Sequence, residues 1–77
     1  VVIDSNITSI GRDAFRGCNK LKTIVIKSTK LTSRSIGSNA FKGTHKKLVI
    51  KVPKKMLKKY KKFLKKKGNK NVKVVKA

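Results

Sequence analysis

The sequence has few of the residues that stabilise small domains through covalent or metal cross-links. Among its 77 residues there is one cysteine, Cys18, one histidine, His45, and no tryptophan. A single cysteine cannot close a disulfide within the chain, and one cysteine with one histidine cannot complete a structural zinc site. Domains of this size are often only marginally stable without such help. The sequence therefore predicts a fold stabilised by the burial of apolar side chains.

Acidic residues are nearly absent. Asp4 and Asp13 are the only carboxylates against 23 lysines and arginines, which gives a net charge of +21. With so few carboxylates, and with neither a nucleophile-elbow nor a phosphate-loop pattern, the sequence predicts no enzyme, no metal and no cofactor. The charge instead predicts attraction to polyanions in general.

The chain also lacks a signal peptide and any apolar run long enough to cross a bilayer. Its opening letters, VVID, are typical of the end of a strand, so we interpret the chain as a piece of a longer protein. The charge is uneven, because thirteen lysines and no acid lie in 51–77. We therefore predict two regions, 1–52 and 53–77.

A repeat occupies the first region. Positions 10–17 read IGRDAFRG and positions 36–43 read IGSNAFKG. An isoleucine in a strand-like run follows each phenylalanine by nine residues, and the opening VVI lies 23 residues before IVI. The sequence thus contains about two and a half units, with periods of 23 and 26. Because one such unit cannot bury its own apolar face, the units are expected to stack.

Each unit has a local interpretation. Alternation in LKTIVI predicts a strand with two faces. Leu21, Ile24 and Ile26 are expected on one face, and Lys22, Val25 and Lys27 on the other. The AF pairs are expected on short helical turns that place the phenylalanine inside. The second glycine of each motif is expected at positive φ, and the first is expected to allow a tight turn.

The repeat resembles the BspA-like bacterial leucine-rich repeats, whose signature is close to IGxxAFxGCxxLxxIxI. The first unit matches it nearly throughout, and the second has Thr44 in place of the cysteine and Lys47, followed by Leu48, in place of the leucine. The resemblance covers 10–52 and treats 1–7 as the tail of another unit. It implies a solenoid with a parallel sheet, on a secreted or surface-attached bacterial protein that binds other proteins without catalysis. Cys18 is expected to be a buried structural thiol in this repeat.

The second region predicts an amphipathic helix over 54–67, because its apolar residues fall within one arc of a helical projection and lysines fill the rest. Pro53 is suited to the first helical position, and Gly68 to the position after the end. Strands over 48–52 and 72–75 would flank the helix in a right-handed βαβ crossover. The predicted fold is therefore α/β: a right-handed leucine-rich-repeat solenoid with a parallel sheet and a C-terminal cap that contains one helix.

The predicted core gathers the apolar positions of both regions. Its members are Ile10, Phe15, Leu21, Ile24, Ile26, Ile36, Phe41, Leu48, Ile50, Val52, Met56, Leu57, Tyr60, Phe63 and Leu64.

Three interpretations of the basic helix remain open at this point. It could cover the end of the solenoid, insert its apolar arc into a membrane, or hold an anionic polymer such as a glycan, teichoic acid or nucleic acid. For protein binding and adhesion to a host or matrix ligand, the expected contacts are outward strand positions Val2, Lys22, Val25, Lys27 and Lys51. For polyanions they are Lys54, Lys55, Lys58, Lys59, Lys61, Lys62, Lys65 and Lys66. We expect a monomer without membrane insertion.

Overall fold

The computed structural model describes all 77 residues. The chain forms four short strands and one α-helix, which a 3-10 turn at Lys54–Met56 precedes. The strands are β1 (Val2–Ile3), β2 (Thr23–Ile26), β3 (Val49–Val52) and β4 (Lys73–Lys76), and the helix is α1 (Leu57–Leu64).

The strands form one parallel sheet in the order β1-β2-β3-β4. This confirms the predicted parallel arrangement. Val2 pairs with Val25, which pairs with Lys51, which in turn pairs with Val75. Partners thus lie 23, 26 and 24 residues apart, and the segment that contains α1 makes a third connection of nearly the same length as the other two.

The connections between strands also stack on one another. Ile10 forms a parallel bridge with Ile36. Further along the same two connections, the N–H of Phe15 donates to the carbonyl of Ala40 at 2.8 Å, and the N–H of Gly17 donates to the carbonyl of Lys42 at 2.9 Å. The chain therefore forms layers, each made of a strand and the connection that follows it, as a solenoid does.

The repeated glycines meet two different needs. Gly17 and Gly43 have φ of 79° and 78°, as the sequence predicts. Gly37 has no positive φ, but a Cβ at this position would lie 2.2 Å from the Cα of Arg12. The first glycine of the second motif thus allows two stacked backbones to approach closely, whereas a tight turn was expected.

The core lies between the inner face of the sheet and the stacked connections. Most of the predicted core residues are buried, and Phe15, Leu21, Met56 and Leu57 are only half-buried. The first two lie in the 4–22 connection, which has a neighbouring layer on one side only, and the other two lie where the helical segment begins. Four buried apolar residues were absent from the predicted core: Leu31, Ala40, Val72 and Val74.

The prediction for Cys18 is wrong, because its thiol is free and exposed. The same connection explains the error. Cys18 follows the 12–17 turn. One side of this turn packs against the next connection, and the other side is exposed to solvent. Thr44, at the equivalent position of the next layer, is half-buried.

The α-helix is shorter than the predicted 54–67. The first three residues of that range form the 3-10 turn, and α1 ends at Leu64. After Leu64 the chain turns so that the carbonyl of Lys67 accepts a hydrogen bond from the N–H of Phe41 at 2.9 Å. Gly68, at φ 104°, follows this turn and does not follow the helix directly. Pro53 precedes the 3-10 turn with an extended ψ of 139°, outside the helical position predicted for it.

Two strand boundaries also differ from the prediction. Leu48 and Val72 each belong to the turn before their strand, because their N–H groups donate to His45 and Asn69 three residues back. Strands β3 and β4 therefore begin at Val49 and Lys73, and β4 extends to Lys76.

Candidate binding surfaces

The outer face of the sheet carries two rows of side chains that cross the strands. The parallel pairing aligns Val2, Val25, Lys51 and Val75 in the first row. It aligns Thr23, Val49 and Lys73 in the second row. These side chains are exposed or half-buried, whereas the alternate positions of the same strands, such as Ile24 and Ile50, are fully buried. We call the two rows the outer face.

The structure brings together three of the five contacts predicted for protein binding. Val2, Val25 and Lys51 lie side by side in the first row. Lys22 and Lys27 are exposed but lie just before and just after β2, at the margins of the outer face.

Sequence reasoning missed four members of the outer face: Thr23, Val49, Lys73 and Val75. Their signal is the alternation within each strand, since each lies next to a buried aliphatic residue. The prediction of the last strand rests on its inward valines and leaves its outward positions unassigned.

The helix packs against the sheet and the preceding connection through its apolar arc. Tyr60 and Leu64 are fully buried, and Phe63 is 8% exposed. The rings of Tyr60 and Phe63 meet edge to face, with centroids 5.4 Å apart. The surface that an interfacial helix would insert into lipid is therefore occupied by the core.

Polar contacts join the helix to the 27–48 connection. The hydroxyl of Tyr60 donates to the carbonyl of Ser28 at 2.8 Å and accepts from the N–H of Leu31 at 3.2 Å. Burial raises the pKa of Tyr60, because it disfavours the phenolate, and the hydrogen bond from Leu31 opposes this with a smaller effect.

The residues after the helix continue this attachment. The side-chain amide of Asn69, which is buried, donates to Oγ1 of Thr44 at 2.9 Å and to the carbonyl of His45 at 3.1 Å. Gly68 lies so close to Lys42 that a Cβ would be 2.7 Å from its backbone nitrogen. His45 thus takes part in a structural contact through its backbone, and its Nδ1 accepts from the N–H of Lys47 at 3.0 Å.

All eight lysines predicted to contact polyanions are exposed. Spacings of four, three and four residues divide them between two sides of the helical segment. We call these sides strip A (Lys54, Lys58, Lys61 and Lys65) and strip B (Lys55, Lys59, Lys62 and Lys66).

An open groove lies along strip A and not along strip B. Lys54, Lys58 and Lys61 line it together with Leu57 and with Lys76 at the end of β4. Sequence reasoning did not assign Lys76 to the polyanion contacts, because nothing in its local sequence indicates that the end of β4 lies beside the helix. A second depression adjoins the groove at Pro53, Lys54 and Lys55.

The positive charge is almost unopposed. The one ion pair joins Arg16 to Asp13 at 3.8 Å, and the carboxylate of Asp4 accepts from the N–H of Ser5 at 2.6 Å. Every lysine ammonium is therefore free of a carboxylate partner. No group of three or more His, Cys, Asp or Glu side chains that could hold a metal ion occurs. None of the helical segments is long and apolar enough to cross a membrane.

The fold and the repeated motifs agree with comparison to known protein families. A family model described as a BspA type leucine rich repeat region (6 copies) matches residues 1–75. The match extends through the helix and into β4, whereas the resemblance of the two motifs covers only 10–52. Neither the curated proteins nor the solved structures contain a match. The chain belongs to the family of BspA-type leucine-rich repeats.

Proposed function

We propose that this chain is a non-enzymatic protein-binding module that acts in adhesion, as part of a secreted or surface-attached protein, and that the outer face is its contact surface. Membership of a leucine-rich repeat family supports a role in protein interaction. The observation that carries the proposal is the alignment of valines and lysines in two rows across the parallel strands, on a face that no other element covers.

The composition of the outer face suits a protein partner. Val25, Val49 and Val75 supply a half-buried apolar centre, and Lys51 and Lys73 supply charge beside it. Protein interfaces commonly combine an apolar centre with a polar margin. Because the lysines have no carboxylate partners here, the matching surface would be acidic around an apolar contact, and the charge would accelerate the encounter.

The proposal is tested by adhesion of beads coated with the 77-residue chain to purified host matrix proteins immobilised one at a time. The outer-face variant carries Lys51→Glu and Lys73→Glu. The control carries Lys46→Glu and Lys70→Glu, which change the charge equally at exposed positions in turns. We expect binding of at least one matrix protein, which the outer-face variant loses and the control retains. Equal loss in both variants would show that net charge, and not the outer face, mediates adhesion.

A structural cap is a second role, which one specific observation favours. The segment 53–77 buries Tyr60 and Leu64 against the preceding layer and supplies the carbonyl of Lys67 to the N–H of Phe41, as Ala40 does for Phe15. Its outer side is covered with lysines, and a terminal unit of a solenoid needs such a polar outer side. Right-handed crossovers are the rule for parallel strands, and we propose that hand for the β3-α1-β4 connection.

A grafting experiment tests whether the exposed lysines of the cap take part in adhesion or whether the cap has a structural role alone. The exposed lysines of α1 are replaced by neutral helix-forming residues, with Met56, Leu57, Tyr60, Phe63 and Leu64 retained. A pure cap predicts unchanged thermal stability or a small increase, and unchanged adhesion. Loss of adhesion with stability preserved would assign binding to the cap itself.

A further inference from the structure

We propose that the groove along strip A, which we call the cap groove (Lys54, Leu57, Lys58, Lys61 and Lys76), binds a linear acidic glycan. The inference concerns a surface separate from the outer face, and it does not depend on the protein-binding role. The two lysine strips have the same spacing and the same charge, but three lysines of strip A line the cap groove, whereas strip B contributes only Lys55 to the adjoining depression.

The charge in the cap groove comes from two elements that are distant in sequence. Lys54, Lys58 and Lys61 follow one another along the helical segment, and Lys76 joins them from β4. A helix rises about 1.5 Å per residue, so the helical lysines succeed one another every ~5 Å along the groove. Such a series matches a chain that carries an anionic group at each short repeat, and none of its members is neutralised by a carboxylate.

The lining between the charges is apolar. Leu57 is half-buried beside the groove, and the methylene stems of the surrounding lysines add further apolar surface. A bare inorganic anion would leave this surface uncovered. A sugar ring presents both C–H groups and acidic substituents, so an acidic glycan could cover the apolar lining and meet the ammonium groups in the same pose.

Features needed for other polyanions are missing from the cap groove. Single-stranded nucleic acid gains affinity by stacking bases on aromatic rings, but Tyr60 is fully buried and Phe63 is 8% exposed. No arginine lies beyond Arg34, so the groove has no planar fork for bidentate phosphate contacts. An anionic membrane is a broad surface that would engage strip B as readily as strip A.

The test compares two matched triple variants of the 77-residue chain. The groove variant carries Lys54→Gln, Lys58→Gln and Lys61→Gln, and the control carries Lys55→Gln, Lys59→Gln and Lys62→Gln. Both lose the same charge from the same helical segment at exposed positions, and glutamine keeps a similar helix propensity. Circular dichroism checks that both remain folded. A heparin-derived hexasaccharide is the probe, and its Kd is measured by calorimetry at about 0.15 M salt.

We expect the groove variant to weaken hexasaccharide binding about tenfold, because it removes three ammonium groups that contact the glycan directly. The control should weaken binding about twofold or less, because it removes only long-range attraction. Equal weakening in both variants would overturn the proposal in favour of general charge attraction. Absence of hexasaccharide binding by the unmodified chain would also overturn it.

A second pair of variants tests the contribution of β4. Lys76→Gln removes a lysine of the cap groove, whereas Lys70→Gln removes an exposed lysine that lies outside both the cap groove and the outer face. We expect weaker hexasaccharide binding only for Lys76→Gln, by about threefold. Short duplex DNA and phosphatidylglycerol vesicles serve as alternative probes. If either responds to the groove variants more strongly than the hexasaccharide does, the assignment to a glycan is wrong.

Discussion

The hydroxyl of Tyr60 lies 2.8 Å from the carbonyl oxygen of Ser28, to which it donates a hydrogen bond, although 32 residues separate the two in the chain. The same hydroxyl accepts from the N–H of Leu31. Ser28 in turn donates from Oγ to the carbonyl of Ile7 at 2.6 Å. The Tyr60 hydroxyl thus joins the helix to the second connection, and Ser28 joins the second connection to the first, so that two hydroxyl groups hold three successive layers together.

Tyr60→Phe should destabilise the chain while preserving its apolar packing. The variant leaves a buried carbonyl and a buried N–H without partners, which costs about 1 to 3 kcal/mol. Urea or thermal denaturation measures the change. Lys59→Gln, at a neighbouring exposed position, should change stability by less than about 0.5 kcal/mol. An unchanged midpoint for Tyr60→Phe would contradict the structural role of this hydroxyl.

The same residue predicts a pH dependence. Burial raises the pKa of Tyr60 above its ordinary value of 10.0. Well below pH 10.0 the phenol is protonated in both states and adds no pH dependence. As the pH rises through this value, the phenol of the unfolded chain ionises while that of the folded chain stays protonated, so stability falls.

The effect of the phenol is measured as the difference in stability between the unmodified chain and Tyr60→Phe. The stability advantage of the unmodified chain should shrink between about pH 9 and pH 11. Tyr60 is the only tyrosine, so the ultraviolet absorbance of its phenolate reports its titration directly. A constant difference would contradict the raised pKa.

The stacked rings of Phe15 and Phe41 should differ in importance. Their centroids are 5.8 Å apart and their planes are within 7° of parallel, but Phe41 is fully buried and Phe15 is half-buried. Phe41→Ala should cost about 3 to 5 kcal/mol, enough to unfold most of a chain of this size. Phe15→Ala should cost less, about 1 to 2 kcal/mol. Chemical denaturation of both variants measures their free energies of unfolding. Equal losses of stability would contradict the difference in burial.

A pair of glycines provides a test of close backbone packing. Alanine at Gly37 would place its Cβ against the backbone of Arg12, which is not the movable end of a flexible side chain. Gly37→Ala should therefore separate the two stacked connections, at a cost of about 2 kcal/mol or more. Gly11, at the equivalent position of the first motif, would have no atom within 4 Å of an added Cβ, and Gly11→Ala should be close to neutral. Thermal denaturation distinguishes them, and a neutral Gly37→Ala would be inconsistent with the stacking.

Salt should stabilise the folded chain. With 23 basic and two acidic residues, folding brings unpaired positive charges together, and added ions screen their repulsion. We expect the melting temperature to rise between low salt and about 0.2 M sodium chloride. The groove and control triple variants should each show a smaller rise than the unmodified chain. A melting temperature independent of salt would contradict this account.

Much of the fold follows from short-range patterns in the sequence. The two IGxxAFxG motifs and the alternation of aliphatic residues predict parallel strands in register, and the pairing of Ile24 with Ile50 agrees with the spacing of the motifs. The helical projection places Tyr60, Phe63 and Leu64 on one face, and all three are buried.

Other features depend on which connections meet in space. Leu31 lies in a polar stretch of the 27–48 connection, yet it is fully buried because Tyr60 contacts the same stretch. The outward position of Cys18 and the place of Lys76 in the cap groove likewise depend on neighbours that the local sequence does not specify. Of the candidate surfaces, alternation predicts the outer face, whereas the cap groove could be found only from the structure.

The carbonyl of Lys67 occupies the place in the third layer that the carbonyl of Ala40 occupies in the second, although the sequence around it contains no AFxG motif. What one layer requires from the next is therefore a backbone acceptor at a fixed position, and the side chains that deliver it are interchangeable. For protein engineering, another terminal segment could be grafted onto the layer that contains Phe41. A grafted segment must return to the sheet in about 24 residues, present one carbonyl to the Phe41 N–H and cover the preceding layer with apolar side chains, as Tyr60 and Leu64 do.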